Sequence, residues 1–346
     1  MLPGQAGLDW PWVRLPYYVD KISCRGPAFL PLLPPEPPLL RSVYDPHAMP
    51  PARRPDRAAW LLLPTWLTLG VFFLLPLGIM LVLSFGERGL YGGVQPVADW
   101  GAYLRSGAFL GNYARSFAGI YLQIGWRSLW MAVATTVFCL LLSYPVAYCL
   151  ALVVPRRWKS LLLGLVVVPF WTSFLIRTYA WMFILRSEGL LNRLLLAAGL
   201  VDHPLPLLYT ELAVMIGLVY GELPFMILPL YASLEKLDRT LLEAAADLGA
   251  GRAGAFRRVT LPLTLPGMAA GVVLVFIPSL GQFVVSDLLG GAKSVLVGNL
   301  VQNQFAVARN QPFGAALAFE LTAAVLLLLF AYALYARKRG GEEALL

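Results

Sequence analysis

Apolar residues gather in six long stretches, at approximately 60–85, 128–153, 162–185, 212–234, 263–286 and 313–335. Each exceeds the roughly 20 residues an α-helix needs to cross a hydrocarbon core, and polar segments rich in glycine and proline separate them. Helix is the expected form, because lipid offers the backbone no hydrogen-bond partner and a barrel would show short alternating strands. The pattern predicts an all-α polytopic membrane protein with six transmembrane helices.

Composition narrows the reading. Of 346 residues, 59% are hydrophobic and 13% charged, against about 45–50% apolar and about 25% charged in a soluble domain. Mean hydropathy is +0.70, so a water-soluble globule is excluded. Cys24, Cys139 and Cys149 share no short spacing, so neither a disulfide framework nor a metal site is expected. His47 and His203 are far apart in proline-rich surroundings, which argues against a histidine-based metal or catalytic centre. The net charge of +8 marks cytoplasmic loops in a membrane protein rather than a nucleic-acid partner.

Four regions follow. Residues 1–58 form a proline-rich cytoplasmic tail that cannot bury enough apolar surface to order itself. No basic stretch followed by a short apolar run opens the chain, so no cleavable signal peptide is expected, and Met49 offers an alternative start. Residues 59–125 carry the first span and a long extracytoplasmic loop, 86–126, with Tyr91, Trp100, Tyr103, Tyr113 and Tyr121; that length suits a functional or a disordered segment. Residues 126–336 hold a five-helix core, and 337–346 a basic cytoplasmic end. Arg156, Arg157, Lys159, the 235–261 loop and Arg337-Lys338-Arg339 are basic on one side. The cations on the other side (Arg88, Arg105, Arg115, Arg127, Arg186, Arg193, Lys293 and Arg309) are spread over longer loops. The positive-inside rule then places both termini in the cytoplasm.

The 238–262 segment stands apart. Asp238 is a helix N-cap, and Leu241, Leu242, Ala245 and Leu248 repeat at helical spacing. Gly249 and Gly251 permit the positive φ that ends a helix. A second short helix is expected around 252–258, with Pro262 opening the next span. Two short helices around a glycine elbow suit either a surface hairpin that only connects two spans, or an element that passes a push from a soluble partner into the membrane.

Glu243-Ala244-Ala245, Gly249, Val259 and Leu261-Pro262, at these spacings, resemble the EAA loop of ABC-importer permeases, with valine where that pattern usually has isoleucine. Pro169-Phe170-Trp171-Thr172-Ser173 through Trp181 is similar to the third span of spermidine/putrescine permeases. Gly281-Gln282-Phe283, the run Ser286 to Lys293, Gly298-Asn299 and Gln304-Phe305 are similar to their segment between the last two spans, and Asn112-Tyr113 and Tyr144-Pro145 fit as well. The resemblance implies an ABC importer type I (MetI-like) permease fold in the cell membrane. It implies four partners: a cytoplasmic ATPase dimer, which uses the ATP and into which the loop docks, a second homologous permease, an extracytoplasmic substrate-binding protein, and membrane lipid. This chain would be half a pore with no cofactor of its own, Glu243 serving docking and Gly249 the elbow. Gly290-Gly291-Ala292-Lys293-Ser294 is not a phosphate loop, since Ala292 stands where a glycine is required directly before the lysine.

Ionisable residues inside the spans are costly unless paired or facing water. Arg177, Glu222 and Glu320 fall in the outer half at similar depth, and are expected to share one interior surface. Two roles stay open: an Arg177–Glu222 ion pair that pins helices, or Glu222 and Glu320 along a cation path. Polyamines carry several ammonium groups on methylene chains, so carboxylates and aromatic faces would recognise them. Asp287, Trp171, Tyr179, Trp181 and Tyr220 supply those types, although Trp and Tyr also form interfacial belts. Gly217/Gly221 and Gly267/Gly271 match small-xxx-small packing, and Pro224, Pro229 and Pro278 predict kinks. The alternatives are an ABC permease for another small solute and a stand-alone secondary transporter; the latter has no need of an EAA loop, and no internal repeat is evident. No catalytic constellation of an intramembrane enzyme appears in the spans.

Overall fold

A computed structural model describes residues 56–95 and 100–343; all but the last residues of the expected proline-rich tail lie outside the described residues. The first span is α1 (Asp56–Leu69), a π-helical turn at Gly70–Leu74, and α2 (Leu75–Ser84). A short antiparallel hairpin follows, β1 (Glu87–Arg88) on β2 (Val94–Gln95), with Arg88 opposite Val94. Then come α3 (Trp100–Arg105), α4 (Gly111–Ser116) and α5 (Gly119–Tyr148), which a π-helical turn extends to Val153. α6 (Arg156–Val167), α7 (Phe174–Leu185), α8 (Leu190–Ala197) and α9 (Glu211–Glu235) lead to α10 (Arg239–Asp247) and α11 (Arg252–Ala255). α12 (Leu261–Gly281), α13 (Val297–Ala306) and α14 (Gln311–Glu343) complete the bundle.

Among the described residues, five helices are long and apolar enough to cross a membrane, and six spans result if the bent pair Arg156–Trp171 and Phe174–Ala197 counts as one. The fold is thus the expected all-α one, with two corrections. The third span is not a straight helix over 162–185 but turns by 92° between Trp171 and Phe174. Pro169 can give no amide to the helix ladder, and Thr172 closes the turn instead, its N–H and hydroxyl both reaching the Pro169 carbonyl (3.4 and 2.7 Å). The second span begins at Gly119 rather than near 128, so the expected loop 86–126 is shorter. It is also folded. Tyr103 donates to the Phe85 carbonyl (2.7 Å), Asn112 to the carbonyls of Ser84 and Gly86 (2.9 Å each), and Arg88 to Ala308 O (2.9 Å).

α5, α9 and α12 pack together as the centre. Near α10, Cys139, Ala147, Leu150, Met226, Leu230, Leu234 and Val275 form one core; at the other end Met131, Val214, Leu218, Val285 and Leu289 form a second. Glycines set the spacing between these helices. A Cβ on Gly271 of α12 would lie 2.6 Å from Met226 Sδ on α9, and one on Gly217 of α9 would lie 2.7 Å from Val285 Cγ1 in the segment that follows α12. Gly221 has nothing within 4 Å of that position, so only half of the first small-residue motif makes a helix contact. Large apolar side chains such as Phe72, Leu327 and Phe330 point outward, as a lipid environment permits.

Candidate functional site

The elbow forms at Gly249 as its sequence requires, whereas Gly251, at φ −65°, is not left-handed as expected. Asp238 caps α10 by accepting the Thr240 N–H at 3.0 Å. That hydrogen bond holds the Asp238 carboxyl below its usual range, so the cap is present above the ordinary carboxylate value and is lost as pH falls through the depressed one. α10 ends where Ala250 N donates to Ala245 O and Gly249 N to Ala246 O, both at 2.9 Å, with Gly249 at φ +82°. Glu243 and Ala244 are exposed, as is Leu248 at 89%.

Beyond the elbow the expectation needs adjusting. The second short helix does not stop before the next span: a π-helical turn at Phe256–Thr260, in which Leu261 N reaches Phe256 O, carries it through Pro262. Helix therefore runs unbroken from Arg252 to Gly281, 30 residues. At ~1.5 Å per residue that is ~45 Å, more than the ~30 Å hydrocarbon core, so its first turns project as a lever continuous with a core helix. Sequence reading missed how the lever is held. Phe256 meets the rings of Tyr144 and Tyr148 on α5 edge-on, at centroid distances of 5.4 and 6.2 Å. The Tyr144 hydroxyl lies 3.1 Å from Thr264 Oγ1, and Arg239 donates to Leu152 O at 3.0 Å. Tyr144 was legible only as part of a Tyr-Pro pair.

The charged residues within the spans are not arranged as expected. Among the described residues, carboxylates approach cations within 4.0 Å at Arg127–Glu211 (2.5 Å) and Lys159–Glu235 (3.9 Å), and no Arg177–Glu222 ion pair forms. The Arg177 guanidinium lies over the Phe170 ring, 4.7 Å from its centroid. Its Nε and Nη1 are buried without a hydrogen-bond partner, and so is Glu222 Oε2. Phe170 lies just before the 92° turn and Arg177 just after it, so the turn brings ring and guanidinium together. Helical phase on a straight span does not foresee this.

Glu320 is not brought to this surface either. It accepts the Ser116 hydroxyl at 2.6 Å, which ties α14 to α4. Similar depth along three helices does not fix which way each residue faces. Glu320→Gln, which keeps an acceptor, is expected to melt like the parent in detergent, whereas Glu320→Ala is expected to lose about 1 kcal/mol. Equal melting of the two variants would remove the anchor role. Of the other candidates, Tyr220 packs edge-on against Trp181 (5.4 Å), and both line a crevice with Phe174, Arg177 and Gly217. Trp171 is 85% exposed at the turn and Tyr179 46%. Asp287 is exposed in a π-helical turn at Ser286–Gly290, whose Ser286 hydroxyl donates to Ser294 O. Tyr220, Trp181 and Arg177 thus come together, with Glu222 on the same helix as Tyr220.

Comparison with known proteins places this arrangement. The family model for binding-protein-dependent transport system inner membrane components matches residues 143–340. The chain is 46% identical over 261 residues to the spermidine/putrescine transport system permease protein PotB of Haemophilus influenzae, covering 75% of this chain and 87% of that protein. It is 45% identical to PotB of Escherichia coli, covering 77% and 92%. The inner membrane ABC transporter permease protein YdcU of Escherichia coli is 33% identical, covering 80% and 92%. Among solved structures, a bacterial ABC transporter involved in the import of the acidic polysaccharide alginate shares the fold with a TM-score of 0.65 at 18% identity, over 82% of this chain and 96% of that one. The elbow lies within the region that the family model matches. The chain belongs to the family of binding-protein-dependent transport system inner membrane components.

Proposed function

We propose that this chain is the transmembrane permease subunit of an ATP-driven importer for polyamines, spermidine or putrescine. It forms half of the translocation pore, with a second homologous permease as the other half. The observation that carries this reading is the elbow: an exposed short helix turned at Gly249 and joined to a helix that runs unbroken into the core. A cytoplasmic ATPase dimer seated on α10 would swing the lever Arg252–Gly281 as its halves close, and α12 moves with it because no joint intervenes. Glu243, Ala244, Ala245, Gly249, Leu261 and Pro262 make up this coupling element. The exposed Leu241 and Leu248 give the motor an apolar grip. An extracytoplasmic binding protein delivers the solute, and both termini face the cytoplasm.

The PotB relatives support a polyamine cargo. Glu222, Asp287, Trp171, Tyr179 and Tyr220 offer the carboxylates and aromatic faces that ammonium groups require. Glu222 is 6% exposed with an oxygen left unpartnered, so a cation passing it would gain a charge-assisted contact. Glu222→Gln is expected to leave thermal stability in place and to slow uptake about tenfold or more. Unchanged spermidine uptake would remove Glu222 from the path.

Reconstitution tests the whole reading. Vesicles holding the chain with its partner permease should take up spermidine only when ATPase, ATP and binding protein are supplied, and should ignore collapse of the proton gradient. Uptake driven by that gradient with no ATPase would establish a secondary transporter instead.

A further inference from the structure

The ends of three helices on the elbow side surround a cavity. It has a volume of about 480 Å³ and is lined by Leu152–Pro155, Arg156, Lys159, Glu235 and Arg239. Three elements meet there: the π-helical end of α5, the first turn of α6, and the α9–α10 junction. The charges do not balance. Three cations stand against one carboxylate, and Glu235 is already engaged, accepting from the Tyr231 hydroxyl at 2.6 Å and lying 3.9 Å from Lys159.

Two of the cations are held in place by the chain itself. Lys159 Nζ donates to Ala151 O (2.7 Å) and Arg239 to Leu152 O (3.0 Å), which fixes both against the cavity wall. Arg156 makes no side-chain hydrogen bond or ion pair among the described residues. It also stands in the first turn of α6, which has no acidic residue and no side-chain cap. Cations are unfavourable at that end of a helix dipole, so the local field calls for an anion. Trp158, 48% exposed beside the cavity, is the residue type found at headgroup level. The spans on either side end at Val153 and Glu235, next to the cavity lining.

We propose that the cavity lined by Arg156, Lys159 and Arg239 binds the phosphate of an anionic phospholipid headgroup. Chemically the site takes a phosphate monoanion or diester, which a soluble phosphate would also present. Geometry favours the lipid, since the cavity lies where spans end and lets acyl chains run along the exposed Leu161 and Leu165 of α6. A bound headgroup would bridge Arg156 on α6 to Arg239 on α10, bracing the elbow's entry against the bundle. The cargo and the ATPase play no part in this inference.

Native mass spectrometry of the full-length chain, released from zwitterionic micelles with added phosphatidylglycerol or phosphatidylcholine, tests it. The parent should retain phosphatidylglycerol in preference to phosphatidylcholine. Arg156→Gln should weaken that retention about fivefold, and Arg156→Gln with Arg239→Gln about thirtyfold. Arg157→Gln, in the same turn but outside the cavity lining, should leave it unchanged. Arg156 has no protein partner to lose, so the single variant keeps the test sound if the double one unfolds. Inorganic phosphate at millimolar concentration should not displace the lipid; displacement would show a soluble-phosphate site. Equal retention of the two lipids by the parent, or full retention by Arg156→Gln, would overturn the proposal.

Discussion

Gly267→Ala is expected to destabilise the chain by about 1–3 kcal/mol, the usual range for overpacking a filled interior. A Cβ at 267 would lie 2.8 Å from the carbonyl oxygen of Pro229 and would press on Ser233. Both belong to α9, and a backbone carbonyl cannot swing aside, so α9 and α12 must separate along the closest crossing of the core. Gly271→Ala, one turn on, is expected to cost less. Its nearest obstacle, Met226 Sδ at 2.6 Å, belongs to a flexible side chain, and the next atoms are at 3.5 Å. Gly221→Ala serves as the reference, with open space around it. Thermal melting of the purified chain in detergent orders the three; if Gly267→Ala and Gly221→Ala melt together, the crossing is not as close as described.

Gly249→Ala should uncouple transport while sparing the bundle. A Cβ there meets nothing within 4 Å, so its cost is conformational. Left-handed backbone at φ +82° penalises an L-residue by roughly 1–2 kcal/mol, which lowers the ratio of correctly turned to misturned elbow by about 5- to 30-fold. ATP-dependent uptake should fall by up to about that factor, with no change in melting of the membrane core. Gly251→Ala separates this effect from general sensitivity of the segment. Gly251 also has open space, but its φ is −65°, so its substitution should be silent. Similar losses at both glycines would mean that the turn itself is not what matters.

What was legible followed from local rules. The apolar runs placed five spans, and a sixth where the bent pair counts as one, and Asp238 and Gly249 gave both ends of the coupling helix, because a cap and a left-handed residue act within a few positions of themselves. What was not legible depended on direction or on averaging. Hydropathy over 162–185 is uniformly high, which conceals a 92° turn around Pro169 and Thr172. The second span was expected from about 128, yet helix continues back to Gly119, with Arg127 paired to Glu211 at the start of α9. Depth along the helix suggested one surface for Arg177, Glu222 and Glu320. Rotation about each helix axis, which depth does not encode, gave Glu320 to Ser116 instead.

The turn in the third span tightens Val168–Trp171 into a 3-10 helix and leaves the peptide groups at 172 and 173 outside any helix, with Trp171 and Val168 uncovered. Hydrocarbon cannot solvate such groups, and irregular backbone survives at that depth only against protein or water. A lone copy stranded in lipid would carry an unhealed seam in its side. Solitude is thus expensive for this polypeptide, and its accumulation in a cell should track the supply of whatever closes that seam.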